Sequence, residues 1–366
     1  MDKVKFSFVV SDVLAPLKNV VSIIPSNAMF PILSSMKIKL NKRHWEIFAT
    51  DIDNSIIYKS DKIQIEESGE ILVSGKMFYD VLKNIKGEVI FEGDDKKLKG
   101  TYPQGEFTLP LLILDDFPVK PQVKEKTCKI VSEELKELIE DLLFIVPTSG
   151  NVRRGFSGMC WEYKKGELTL VTTDSFRLGF STIKLNLGEN PFQIIVHPNI
   201  LKQFIDNESK EIDLFISERE IMFADAQYNL TSQLIKADFV EWRNIQSKDK
   251  SNKLVLSRSL LEETLKRVST FCVSDSRGVN FTLYKDGNAI TLASDATVLG
   301  QGVENIPIIE YKGEDMKIVL SSTYLQDILK HIKTDEVYLE IYGPHTPIKI
   351  YEKGKRIEYF LMPMEI

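Results

Sequence analysis

Cysteine and histidine are scarce in this sequence, and so are the motifs that most enzyme chemistry is built on. The 366 residues include 3 cysteines (Cys128, Cys160, Cys272) and 4 histidines (His44, His197, His331, His345). The cysteines are odd in number, far apart and form no CxxC, which excludes a disulfide framework. They read as small buried hydrophobes in a chain kept in a reducing cytoplasm. The histidines share no ligand spacing, so no metal is expected. There is no phosphate loop, GxGxxG, HExxH or nucleophile elbow, so no cofactor or catalytic residue is expected. No apolar run approaches the ~18 residues of a membrane span, and the first residues lack the apolar core of a secretory signal. Base is not in excess either. Lys+Arg number 47 against 53 Asp+Glu, a net charge of -6. That excludes a wholly basic nucleic-acid binder but not a local basic patch.

What is present is repetition. With 43% hydrophobic and 27% charged residues the chain is of ordinary globular composition, and its length suggests two or three domains. Three kinds of segment recur three times each. The first is a short strand, a serine and an amphipathic helix: SFVVSDVLAPLKNVVSII, CKIVSEELKELIEDLLFIV and LVLSRSLLEETLKRVSTF. Ser11, Ser132 and Ser257 stand where N-caps are expected, 121 and 125 residues apart. The second is an apolar strand ending in Thr/Ser-Asp: WEIFATDIDNSIIY, LTLVTTDSFRLGF and ITLASDATVLGQG. Its aspartates are Asp51, Asp174 and Asp295, at intervals of 123 and 121. The third is a strand leading into a second helix: ILVSGKMFYDVLKNI, IIVHPNILKQFI and IVLSSTYLQDILKHI. There Ser74, His197 and Ser321 are in register, 123 and 124 apart.

Agreement on one period of about 122, in one order, implies three domains of like fold. The expected boundaries are 1–122, 123–249 and 250–366, with linkers near Lys120–Thr127 and Gln246–Asn252. Each domain has two short helices, expected at 11–24, 76–86, 132–146, 198–206, 259–270 and 322–333. Their apolar stripes need a sheet to cover them. Alternating strands such as FTLPLLIL supply it, and Lys285–Asn288 reads as a hairpin turn. The fold class is α+β with antiparallel sheets. Asp51 and Asp53 suggest a metal pair. Triplication of Asp51 favours a scaffold role, an aspartate that closes a turn by accepting from backbone amides.

The threefold repeat without catalytic motifs resembles the bacterial DNA polymerase III beta subunits, the DNA sliding clamps. The matching residues are Phe30-Pro31-Ile32-Leu33, Thr50-Asp51, Thr173-Asp174-Ser175-Phe176-Arg177-Leu178, Asp238-Phe239 and Met362-Pro363-Met364. The resemblance spans the whole length. It implies a ring formed by a head-to-tail homodimer that encircles double-stranded DNA without reading its sequence. Twelve helices at about 9 Å spacing give a ring about 35 Å across at the helix axes, which suits a duplex with a layer of water. Backbone-only contacts suit sliding. The six helices are not basic as a set, with ten Lys/Arg against eleven Asp/Glu. Acids early and bases late in them fit macrodipole matching as well as they fit DNA. The alternatives to a clamp are an α+β enzyme with an unrecognised site and a repeated scaffold with no DNA role.

The resemblance also implies sites. Arg153 and Arg154 stand where the family contacts DNA; by itself an Arg pair in a loop reads as solvated. A hydrophobic pocket would take short linear peptides from the replicative polymerase, the clamp loader and repair polymerases. Its residues would be Phe156, Thr173, Ser175, Phe176, Arg177, Leu178, Val240, Asn244, Ile245, Ser321, Tyr324, Phe360, Leu361, Met362, Pro363 and Met364. Arg177 and Ser175 would form its polar rim. By themselves Phe360, Met362 and Met364 read as core of a last strand. Val240 replaces a common Pro, Asn244 a basic residue, Phe176 a frequent His and Glu365 a frequent Arg, so the preferred peptide differs. The dimer interface would set Phe107 and Leu109 against Thr270 and Phe271, with Thr270 in place of a usual aliphatic residue.

Overall fold

The computed structural model describes residues 3–25, 30–114, 116–121, 128–148, 152–245, 251–272, 277–296 and 300–364. Both expected linkers therefore fall partly outside the described residues, and Glu365 falls wholly outside. The elements follow one another in three like runs. The first is β1 (Val4–Val9), α1 (Val10–Ser22), β2 (Ser35–Leu40), β3 (Trp45–Thr50), β4 (Asn54–Ser60), β5 (Gln64–Glu67), β6 (Gly69–Ser74), α2 (Gly75–Leu82), β7 (Glu88–Gly93), β8 (Lys97–Tyr102) and β9 (Gly105–Pro110). The second is β10 (Cys128–Val131), α3 (Ser132–Leu143), β11 (Met159–Lys164), β12 (Glu167–Thr173), β13 (Arg177–Lys184), β14 (Phe192–Val196), α4 (Pro198–Asp206), β15 (Glu211–Ile216), β16 (Glu220–Ala224) and β17 (Tyr228–Gln233). The third is β18 (Asn252–Ser257), α5 (Arg258–Val268), β19 (Gly278–Leu283), β20 (Ala289–Ala293), β21 (Val303–Pro307), β22 (Glu310–Lys312), β23 (Met316–Ser321), α6 (Ser322–His331), β24 (Glu336–Ile341), β25 (Ile348–Tyr351) and β26 (Glu358–Leu361).

All six expected helices form, but serine capping does not start the first helix of each run. Helix α1 begins at Val10 with Val9 as its N-cap, so Ser11 lies inside the first turn. Ser132 is itself the first residue of α3, and its hydroxyl donates to Ser209 O at 2.6 Å. Ser257 does hold the N-cap position of α5, without a side-chain cap bond. The reason is a tertiary one. The leading amides of these helices are satisfied by carbonyls just ahead of a distant strand. Val10 N donates to Gly87 O, Ser132 N to Lys210 O and Arg258 N to Asp335 O, at 2.9, 2.8 and 2.8 Å. A distant strand thus anchors the first amide of each of these helices. A side-chain cap survives at Ser321, whose Oγ accepts from Tyr324 N at 3.3 Å.

The described strands form four antiparallel sheets. Their orders are β5-β1-β7-β8-β9, β10-β15-β16-β17-β4-β3-β2-β6, β14-β11-β12-β13-β26-β25-β24-β18-β22 and β21-β20-β19-β23. The two long sheets are built alike. Each joins the last hairpin of one run to the first meander of the run before it. In the first, Asn54 pairs with Ser232 and Ser55 with Thr231. In the second, Arg177 pairs with Leu361 and Leu178 with Phe360.

The chain divides into two compact units: Met1–Lys136 with Val196–Leu234, and Glu137–Ile195 with Ile235–Ile366. The middle run is thus shared between them. In the first unit, Phe6 stacks on Phe91 at 4.8 Å and Phe8 packs on Trp45 at 5.2 Å, under the buried stripe Val13, Leu17 and Val20 of α1. In the second, Trp161 and Tyr359 are fully buried, and the Tyr359 hydroxyl donates to Asp141 O at 2.9 Å. Each such side chain contributes about 2 kcal/mol through burial.

Candidate functional site

The Thr-Asp turn between β12 and β13 organises the second unit's surface. The Thr173 hydroxyl donates to Arg177 O at 2.8 Å and accepts from Ser175 N at 3.2 Å. Asp174 Oδ1 accepts from Phe176 N and Arg177 N, at 3.0 and 2.9 Å. Ser175 sits at φ 80°, in the left-handed region. The first run repeats this turn. Thr50 donates to Asn54 O at 2.7 Å, Asp51 accepts from Asn54 N at 2.6 Å, and Ile52 has φ 85°. Asp51 is therefore a turn residue, as expected from its triplication. Both its oxygens also accept from the Asn54 amide. The third copy departs: Asp295 accepts from the Asn280 side chain at 2.9 Å.

The turn points Phe176 outward, 56% exposed, and sends Arg177 inward, 8% exposed. Arg177 is thus not a polar rim; it is a buried clamp. Its Nε donates to Asp174 Oδ2 at 2.9 Å and its Nη1 to Asp327 Oδ2 at 3.0 Å. Its guanidinium lies 4.7 Å from the centre of the Tyr324 ring and 5.2 Å from that of Phe144. Tyr324 in turn stacks on Phe176 at 5.7 Å. Burial opposes ionisation of Asp327, but hydrogen bonds from Lys330 and Arg177 outweigh it and hold the carboxyl below its usual range. Ser175, the other expected rim residue, is exposed.

Beside this aromatic pair lies an apolar floor. Leu178 and Phe360 face each other across β13 and β26, in one buried cluster with Phe156, Phe239 and Trp242. Val240 and Ile245 pack against the same cluster. Phe180, beside it, packs on Trp242 at 4.7 Å and stacks on Phe360 at 6.2 Å. Met362 stands at its edge, 43% exposed, its amide donating to Phe176 O at 2.8 Å. Met364 is half-buried and its amide donates to Val319 O at 2.8 Å. Pro363, Leu361, Thr173 and Ser321 are buried, while Asn244 is exposed. Phe360 is thus core, as its position in a last strand suggests, and Met362 is surface. All sixteen expected pocket residues fall in the second unit. The sequence reading missed Phe180, Trp242 and Asp327. The aromatic run Asp238-Phe239-Val240-Glu241-Trp242 signalled Trp242; nothing near Arg177 in sequence signalled Asp327.

Arg153 and Arg154 are both exposed, at the head of a short 3-10 turn, Arg154–Phe156. The Arg153 guanidinium lies 5.7 Å from the Phe156 ring centre. Gly155 docks this turn on Asp238, where an added Cβ would meet the Asp238 carbonyl oxygen at 2.4 Å. Of the expected interface residues, Phe107 and Leu109 lie on β9, an edge of the five-stranded sheet, with the Phe107 ring over Gly100. Thr270 is exposed and Phe271 half-buried, in a 3-10 turn that follows α5. Among the described residues no three His, Cys, Asp or Glu group as metal ligands, and no helix is long and apolar enough to cross a membrane.

Three family models match the chain in series. They are described as the DNA polymerase III beta subunit N-terminal domain, over residues 4–121, the central domain, over 129–241, and the C-terminal domain, over 243–365. A beta sliding clamp of Staphylococcus aureus is 24% identical over 356 residues, covering 93% of each chain. One from Buchnera aphidicola is 24% identical over 352 residues, covering 94% of this chain and 95% of the relative. The crystal structure of the DNA polymerase sliding clamp from Bacillus subtilis superposes with a TM-score of 0.92 at 22% identity, covering 99% of both chains. A sliding clamp from Pseudomonas aeruginosa bound to griselimycin matches with a TM-score of 0.90 at 21% identity, over 99% of this chain and 100% of that one.

Proposed function

The chain belongs to the DNA polymerase III beta subunit family, and from that premise we propose how it closes into a ring and holds its partners. Its function is that of a sliding clamp, a non-catalytic processivity factor of the polymerase. We read its three domains as 1–122, 123–249 and 250–366.

Ring closure rests on two sheet edges left unpaired among the described strands, β9 and β21. Their counterparts in the other runs pair: β17 with β4, and β26 with β13. Joined edge to edge, the two short sheets read β5-β1-β7-β8-β9-β21-β20-β19-β23. Strand for strand, that is the order of the nine-stranded sheet. Two copies in head-to-tail contact, β9 of each against β21 of the other, satisfy both edges and leave a closed homodimer. Apolar exposure supports this. Met77 on α2 is 52% exposed, whereas Ile200, at the equivalent place on α4, is buried. Val303 on β21 is likewise exposed, and Phe107 and Phe271 are half-buried.

Arg153 and Arg154 make screened contacts with the phosphates of duplex DNA inside the ring. The groove beside Phe176, Tyr324 and Met362 takes short linear peptides of the replicative polymerase, the clamp loader and repair polymerases. A Met- and aromatic-walled groove adapts to several such partners. The protein works in the cytoplasm, without metal or cofactor. The decisive experiment loads the protein on circular DNA and then cuts the circle. Retention on the circle and loss after linearisation are expected. Equal loss from both forms would overturn topological binding.

A further inference from the structure

We propose that the cleft at the β4–β17 junction is a second docking site, for a short extended segment of a separate protein that carries lysine or arginine beside an apolar residue. The cleft measures about 240 Å³, and its lining includes Ile52, Asp53, Pro118, Val119, Glu220 and Gln233. It lies wholly within the first unit.

The backbone of this cleft is that of the peptide groove. The Thr50–Asn54 turn repeats the Thr173–Arg177 turn in its Thr hydroxyl bonds and in the bond from the fifth residue's amide to the aspartate. Gln233 N donates to Asp53 O at 2.7 Å, as Met362 N donates to Phe176 O at 2.8 Å. The pairing of Ser55 with Thr231 stands where Leu178 pairs with Phe360. The inference rests on the groove reading for this analogy.

The chemistry of the cleft is different. Leu178 and Phe360 give way to Ser55 and Thr231, and the exposed Phe176 gives way to Asp53. Asn54 replaces Arg177 and is spent on Asp51 and Ser232. Among the described residues no buried cation therefore answers the acids here. Neither the Asp53 nor the Glu220 carboxylate makes an ion pair or hydrogen bond with a described residue. Charge complementarity selects a cationic occupant. Its apolar part meets Ile52, Pro118 and Val119. Ile52 is half exposed at φ 85°, a conformation in which a β-branched side chain is an outlier. Strain of that kind, held at the lip of a cleft, points to use.

The test uses the full chain with isotopically labelled isoleucine δ1-methyl groups. The probe is the peptide Ac-Leu-Pro-Lys-Arg-Pro-Leu-NH2, with a control carrying Gln for Lys and Arg. The Ile52 methyl signal is expected to move with the first peptide and not with the second. Asp53→Lys and Glu220→Lys are each expected to weaken binding roughly tenfold, and Met362→Glu to leave it unchanged. Thermal melts check that these surface variants fold, with Asp53→Asn and Glu220→Gln as milder replacements. An unmoved Ile52 signal, equal binding of the control, or affinity indifferent to Asp53 and Glu220 overturns the proposal. Binding lost in Met362→Glu alone puts the peptide in the groove, which overturns this proposal and leaves the groove reading standing. Failure of the groove reading itself shows separately, as a polymerase-derived peptide that binds Met362→Glu with unchanged affinity.

Discussion

The guanidinium of Arg177 lies over the ring of Tyr324, 4.7 Å from its centre, while its Nη1 donates to Asp327 one helical turn further along α6. One side chain on β13 thus grips two on α6, and the grip holds the wall against which Phe176 stacks.

Replacing that side chain tests the grip. Arg177→Met keeps the apolar stem and leaves Asp174 and Asp327 without their shared cation. A loss of about 3 kcal/mol is expected, because a partner is removed from a buried pair. Affinity for a polymerase-derived peptide should fall at least tenfold, measured by fluorescence anisotropy, while sedimentation still shows a dimer. Arg177→Lys should recover only part, since lysine lacks the fork that reaches both carboxylates. Full peptide affinity in Arg177→Met would show that the groove does not depend on this grip.

Acid should loosen the same place. The Asp327 carboxyl is held below its ordinary value of 3.8. A depressed carboxyl stabilises the fold fully above its unfolded pKa and ceases to do so as pH falls through its folded pKa. Urea midpoints are therefore expected to drop as pH falls below about 4. The Asp327→Asn variant should be less stable near neutrality and show a shallower acid limb. An equally steep limb in that variant would assign the acid sensitivity elsewhere.

Ring closure has its own readout. Met77→Lys and Val303→Glu each put a charge where apolar surface is free in one chain. Either is expected to shift the sedimenting species from twice 41.9 kDa to 41.9 kDa. The melting of the monomer should be little changed, because both side chains are exposed. A variant that stays dimeric at micromolar concentration would count against the β9–β21 contact.

Cys160 offers a probe of opening. Burial pushes its thiol up to about 12, with the Glu162 charge adding to the effect. The thiolate is the reactive form. An aromatic disulfide reagent at pH 8 is expected to leave Cys160 unmodified in the folded protein and to label it at the rate of unfolding. Fast labelling under native conditions would mean that the floor of the groove opens locally.

The three repeats, six helices and the Thr-Asp turns were legible because they are written in local order. A period, an apolar stripe and an aspartate beside a threonine need no distant partner to be recognised. The capping of Ser11 and Ser132 was misread for the converse reason. Their helices start at Val10 and Ser132, whose amides donate to Gly87 O and Lys210 O, carbonyls some 77 residues away in the chain. Arg177 was misread in the same way. Sequence marks it as a charged residue after an exposed turn, and solvent is the default place for such a group. Asp327, 150 residues away, is what lets it be buried.

By itself, then, the sequence determined the number of domains, the class of their fold and the residues that resemble a clamp's. Tertiary structure alone decided which strands meet. An alternating strand specifies a face to bury but not a neighbour, so the joining of β17 to β4 and of β26 to β13 could not be read along the chain. Those joins turn two copies of one turn into two different surfaces. One has Leu178, Phe360 and a clamped Arg177; the other has Ser55, Thr231 and an Asp53 whose carboxylate pairs with no described residue.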